Sequence, residues 1–230
     1  MSIRFVGGKW RVISPIFRAS CPARHLYLHK GPRVSGLKRD PDEVFTTFTA
    51  HKYGENADNL RPIKQFLDDK YAISDELALQ VLTHKSFGNG IKPYNEKLSA
   101  MGSKVLNLYC AKYTTDTPTT ANENAIDGKN VDVLGSPMAK ELAGRLALGL
   151  FAKSHKLNQV LFWKSYNHSL GFEASGEMKV SAQMMYALIG AVTFTHGKTV
   201  AEEFISEKLM KASPSLEEIS ASVVENVNRA

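Results

Sequence analysis

The sequence predicts an all-α protein, and three observations predict it. Apolar residues recur at helical spacing through most of the chain from about residue 59 onward. No segment alternates apolar and polar residues strictly enough, or for long enough, to demand a sheet. Helix-start signals precede the periodic segments at Ser74, Ser136-Pro137 and Ser215.

The elements follow in order. Residues 29–57 are rich in Gly, Pro, Lys and Thr and read as an extended basic arm. Ser74 opens a helix because its hydroxyl can accept from an orphan N–H, while Asp75 and Glu76 suit the positive end of the helix dipole. Leu77, Val81 and Leu82 form its apolar stripe. A longer helix is expected over residues 95–113, with Leu98, Met101, Val105, Leu106, Leu108 and Tyr109 as its apolar residues. Residues 114–132, rich in Thr, Asn and Asp, read as a polar surface connection. Ser136 then caps a helix with proline at its first position, running through Leu142, Leu146 and Leu150. Further helices are expected over residues 178–195 and 199–210, the second with Val200, Phe204, Ile205 and Leu209 on one side. Ser215 and Glu218 have the spacing of a capping box that opens a C-terminal helix.

Composition bounds the function. A chain of 230 residues, 43% apolar and 23% charged, suffices for one main domain with short extensions. Its longest apolar run, residues 184–194, falls short of the roughly 18–20 residues of a membrane-spanning helix. Cys21 and Cys110 form no C-x-x-C pair, so neither a disulfide framework nor a zinc site is expected, and a reducing compartment fits. The net charge of +6 is unevenly placed: nine Lys and Arg precede the first acid, Asp40, which leaves residues 40–230 at −3. Overall basicity therefore says little about whether the folded body binds nucleic acid.

That acid-free, Arg-rich, Ser-containing start has the composition of a mitochondrial import signal. Arg4, Arg11 and Arg18 are spaced seven apart, near one face of a helix, although Gly7, Gly8 and Pro15 interrupt it. The expected presequence covers residues 1–28. The competing reading is a basic tail that stays on and contacts phosphates.

Residues 79–113 carry a more specific pattern. Leu82-Thr83-His84-Lys85-Ser86-Phe87, followed by Asn95-Glu96-Lys97-Leu98-Ser99-Ala100-Met101-Gly102-Ser103-Lys104-Val105-Leu106, resembles the signature of the ribonuclease III family. Met185-Tyr186-Ala187-Leu188-Ile189-Gly190-Ala191 resembles that family's second block, and Gly197 the glycine that ends its helix. Leu134-Gly135-Ser136 and Gly176-Glu177 resemble intervening family segments. The resemblance covers about residues 60–211. It implies a ribonuclease III-like helical domain over residues 58–211 and a C-terminal helix or tail over 212–230; the stretch after Lys211 is too short for the roughly 70 residues of a double-stranded RNA-binding module, so none is expected there.

Members of this family cleave double-stranded RNA with magnesium held by two pairs of carboxylates. A hard divalent cation requires anionic oxygens that stabilise both attacking and leaving oxygens. By the motif match the first pair falls on Ser99 and Ser103 and the second on Gln183 and Tyr186. Spacing is kept at i, i+4 and i, i+3, so the four side chains are expected to share one cleft, but all four negative charges are lost. The expectation is a fold without catalysis, bound metal or cofactor. Glu96, one turn before Ser99, and Glu177 are the acids available to an alternative in which cleavage survives on rearranged carboxylates. His84, Cys110, Met184 and Met185 read as packing or hydrogen-bonding residues.

The resemblance also implies pairing of two domains along the signature helix, with an aromatic inserting into the partner at the position held here by Ala100. Its loss forgoes about 1.5–3 kcal/mol of burial per subunit, which disfavours a symmetric dimer and favours a related partner. The expected interface is Ala100, Met101 and Val105. Expected RNA contacts are Lys30, Arg33, Lys38 and Arg39 in the arm and Lys153, Lys156 and Lys164 on the body. An import-like start joined to such a body resembles the ribonuclease III-like component of the fungal mitochondrial large ribosomal subunit. That implies mitochondrial large-subunit rRNA, a second ribonuclease III-like ribosomal protein and neighbouring ribosomal proteins as partners. A protein-only mitochondrial adaptor is the remaining alternative.

Overall fold

The computed structural model describes residues 44–116, 125–165, 167 and 169–229. The expected presequence and the arm's Lys30, Arg33, Lys38 and Arg39 lie outside them. The protein is all-α: among the described residues no strand forms, and three isolated bridges supply the only extended pairing. No helix among them is long and apolar enough to cross a membrane.

The helices are α1 (Ala57–Leu67), α2 (Asp75–Leu82), α3 (Glu96–Asp116), α4 (Pro137–Leu142), α5 (Arg145–Ser154), α6 (Glu177–His196), α7 (Lys198–Phe204) and α8 (Leu216–Arg229). α6 is the centre of the fold. It is buried nearly all round, from Val180 to Val192, and packs along α3 on one side and α5 on the other. A helix without a polar face needs neighbours on every side, and α2, α3, α5 and α7 supply them.

The caps form as the sequence predicts. Ser74 Oγ accepts from Leu77 N at 3.3 Å and Ser136 Oγ from Ala139 N at 3.2 Å. Ser215 and Glu218 close a reciprocal box, with Ser215 N donating to Glu218 Oε2 at 2.9 Å and Glu218 N to Ser215 Oγ at 3.1 Å.

Two expectations need correction. The helix opened by Ser136 breaks after one and a half turns: Gly144 adopts extended angles, and Glu141 Oε1 accepts from Ala147 N at 3.0 Å, capping α5 separately. The segment expected as one helix over 199–210 is α-helical only to Phe204 and continues as a π-helix over Ile205–Met210. Leu108, one of the apolar residues of α3, is 46% exposed. Residues 44–53 also contribute more than an arm, since Phe45 and Tyr53 pack on a ring cluster with Phe87 and Phe162.

Candidate functional site

The site that the motif match singles out lies where α3 crosses α6. The crossing is set by two glycines: a Cβ on Gly102 would sit 1.9 Å from Tyr186 O, and one on Gly190 would sit 2.1 Å from Leu98 O. Backbone meets backbone there, which brings Ser99 and Ser103, flanking Gly102, close to the helix bearing Gln183 and Tyr186.

A chain of neutral polar groups leads into the crossing from the end of α2. Thr83 Oγ1 donates to Leu79 O at 2.7 Å and closes the helix. Thr83 O accepts from Asn95 N at 2.9 Å. The His84 backbone is held in turn by a short parallel pairing, with His84 N donating to Phe162 O and Phe162 N to Leu82 O. Asn95 is fully buried; its Nδ2 donates to Val81 O at 2.9 Å and its Oδ1 accepts from Gln183 Nε2 at 3.0 Å. His84 Nδ1 lies 3.2 Å from Ser86 N, which can only donate to it, so Nδ1 is an acceptor. The Ser86 hydroxyl, 2.8 Å from Nδ1, therefore donates as well, and Ser86 Oγ accepts from Lys164 N at 2.9 Å. Burial pushes the His84 imidazole below its ordinary value, against the opposing pull of the Gln183 side chain.

The polar ends of the four singled-out residues go to different places. Gln183 is committed to Asn95. Tyr186 is 8% exposed and donates from its hydroxyl to Ala143 O at 2.7 Å, in the turn between α4 and α5; burial raises its phenol. Ser103 Oγ donates back to Ala100 O at 2.9 Å within its own helix, and Ser99 is half-buried. Four neutral side chains, three of them hydrogen-bonded inside the fold, do not fit a magnesium ion. Among the described residues no cluster of three His, Cys, Asp or Glu has metal-binding geometry. Glu96 is ion-paired with Lys85 at 3.2 Å and Glu177 accepts from Asn158 Nδ2 at 2.7 Å.

On α3, Ala100 is exposed while Met101 and Val105 are half-buried, Val105 packing partly on the core. Leu108, on the same helix, adds an exposed apolar side chain. Cys110 is core, its thiol pushed up to about 12 by burial. Lys153, Lys156 and Lys164 are exposed; Lys153 lies 4.6 Å from the Phe172 ring centroid, and Lys156 follows α5 in a left-handed conformation. Sequence reasoning missed Asn95 as the hub of the polar chain. Its signal was its place opening the Asn95-Glu96-x-Leu98 motif, ahead of a helix whose first turn needs acceptors.

The chain is similar to proteins already known. Large ribosomal subunit protein mL57 of Neurospora crassa is 26% identical over 150 residues, covering 60% of this chain and 55% of that protein. Ribonuclease 3 of Leptospira interrogans is 26% identical over 185 residues, covering 80% of this chain and 62% of that enzyme. The chain thus spans less than two thirds of the length of either relative. The crystallised nuclease domain of ribonuclease III from Campylobacter jejuni aligns over 65% of this chain and 92% of its own, at 22% identity and a TM-score of 0.46. The Ribonuclease-III-like family model matches residues 74–213, more than half the chain and the whole of the α2-to-α7 body. The chain belongs to the ribonuclease-III-like family.

Proposed function

We propose that this protein is a non-catalytic component of the mitochondrial large ribosomal subunit, a ribonuclease III-like scaffold that contacts rRNA and pairs with a related protein. The observation that carries the reading is the fate of the four positions at the α3–α6 crossing. Ser99, Ser103, Gln183 and Tyr186 bear no charge, and Gln183, Tyr186 and Ser103 spend their polar atoms on the fold itself. Metal-dependent cleavage needs convergent anions, and these positions make structural hydrogen bonds instead. The similarity to a large ribosomal subunit protein supports the ribosomal assignment, and the acid-free, Arg-rich start supports the mitochondrion. Ala100, Met101, Val105 and the exposed Leu108 form the proposed pairing face, with a related domain supplying the bulk that Ala100 lacks. Lys153, Lys156 and Lys164 are proposed body contacts to phosphate.

A second reading has its own support, because enzymes named ribonuclease 3 cover up to 80% of this chain. It assigns magnesium-dependent cleavage to Glu96. An assay of the full chain on duplex RNA with magnesium separates the two. The scaffold reading predicts intact RNA under conditions where an active ribonuclease III digests it. Cleavage that is lost in Glu96→Ala would replace the scaffold reading with the enzymatic one.

A further inference from the structure

A groove of about 600 Å³ runs beside the first turns of α1 and the end of α5. None of Ser99, Ser103, Gln183 or Tyr186 lines it. Its wall includes His51, Arg61, Phe66, His155 and Lys156, with Asp58 as its acid. These residues come from three separate parts of the chain, and no local motif announces them.

Two rings are held in place before any ligand arrives. Phe66 is edge-on to Phe151 at 6.2 Å and to Phe204 at 6.1 Å, and its centroid is 6.0 Å from that of His155. His155 packs on Phe151 at 4.3 Å and donates from Nε2 to the Pro214 carbonyl at 3.1 Å. Both rings remain half-exposed. A base that stacks on rings already fixed by the core costs them little conformational freedom.

Two cations share the groove wall with the rings. Arg61 and Lys156 are exposed and in no ion pair with a described residue, whereas Lys64, Lys70 and Lys208 nearby in the fold have acidic partners. Lys156 has φ 56° and ψ 26°, a left-handed conformation that a glycine would adopt without strain. The chain carries a lysine there instead. The residue that ends a helix commonly takes this conformation, and here it sets a cation at the edge of the groove.

We infer that this groove takes one unpaired nucleotide of an RNA strand, with its base against Phe66 and His155 and its flanking phosphates on Arg61 and Lys156. The inference rests on the reading of this protein as an rRNA-contacting component. A nucleotide presents a π-face and a phosphate within one residue's reach, which matches two rings beside two cations that have no acidic partner among the described residues. An acidic peptide would use the cations and leave the rings idle. The Asp58 carboxylate, an acceptor only, suits the exocyclic amino group of a base.

The test uses the full chain and a single-stranded RNA of about 12 nucleotides containing 4-thiouridine, a length within the usual single-strand site sizes. After irradiation, adducts are mapped by mass spectrometry and are expected on peptides containing Phe66 or His155. In a parallel titration, R61E/K156E should weaken binding about tenfold and reduce the salt slope by about 1.4, the value for two phosphates on a single strand. K97E/K104E, on the exposed side of α3, should change binding by less than about twofold, since those lysines lie outside the groove. Circular dichroism checks that each variant is folded. Adducts confined to other peptides, a double variant that binds like the parent, or a parent that binds no single-stranded RNA would each overturn the groove. A chain that sediments with large subunits yet fails these tests loses the groove and keeps the ribosomal reading. A chain that cross-links at the groove but does not sediment does the reverse.

Discussion

Gly102 and Gly190 show how much of this fold hangs on single side chains. Each lies against backbone of the opposite helix, so an added methyl has no flexible neighbour to displace. Gly102→Ala is expected to cost about 3 kcal/mol or more, and thermal unfolding should fall by about 10 °C. Ser181 presents the opposite case. It is fully buried on α6, and its hydroxyl has no hydrogen-bond partner among the described residues. Ser181→Ala removes an unsatisfied polar group at nearly constant shape and should raise the unfolding temperature. His84 supplies a pH signature. Burial lowers its folded pKa beneath the ordinary 6.5, so the unfolded chain binds the proton more readily. Its contribution to stability is complete above about pH 6.5 and disappears as pH falls through the lower folded value. Unfolding temperature measured from pH 7.5 down to 5 should decline, and His84→Gln should flatten that decline.

Among the elements, those announced by local chemistry were the most legible. Ser74, Ser136 and the Ser215–Glu218 box each start a helix where the sequence places one, and Ser215→Ala should cost about 1 kcal/mol in a denaturation experiment. The breaks were not legible. Leu142, Leu146 and Leu150 keep helical spacing straight through the Gly144 turn, because only the Glu141 carboxylate folding onto Ala147 N marks a new start. That turn has a long-range partner, since Ala143 O receives the Tyr186 hydroxyl. Tyr186→Phe should therefore lose about 1 kcal/mol while leaving the helical circular dichroism spectrum intact. The π-helical continuation of α7 was likewise hidden, its apolar residues following the pattern of an ordinary helix. Leu108 shows a related limit of the pattern: periodicity marks apolar residues but cannot tell a buried face from an exposed one.

For the whole molecule, the sequence carried the helical class and the family, because both are written in contiguous motifs such as Leu82 to Phe87 and Met185 to Ala191. The groove beside α1 was not legible, since Arg61, Phe66, His155 and Lys156 meet only after folding. The hydrogen bonds of Gln183 and Tyr186 were equally out of reach; spacing placed the two residues on one helix but not the partners that draw their polar ends apart. Charge was informative mainly by its position, with the basic excess in residues 1–39 and the remainder at −3. The proposed attachment to a ribosome then rests on local contacts and on protein partners rather than on a general attraction to RNA, and it should resist salt better than a purely electrostatic association. Sedimentation of a lysate containing the tagged, full-length chain through a high-salt sucrose gradient tests this most directly. A stoichiometric peak coincident with the mitochondrial large ribosomal subunit is the predicted result, and a chain that stays at the top of the gradient would contradict it.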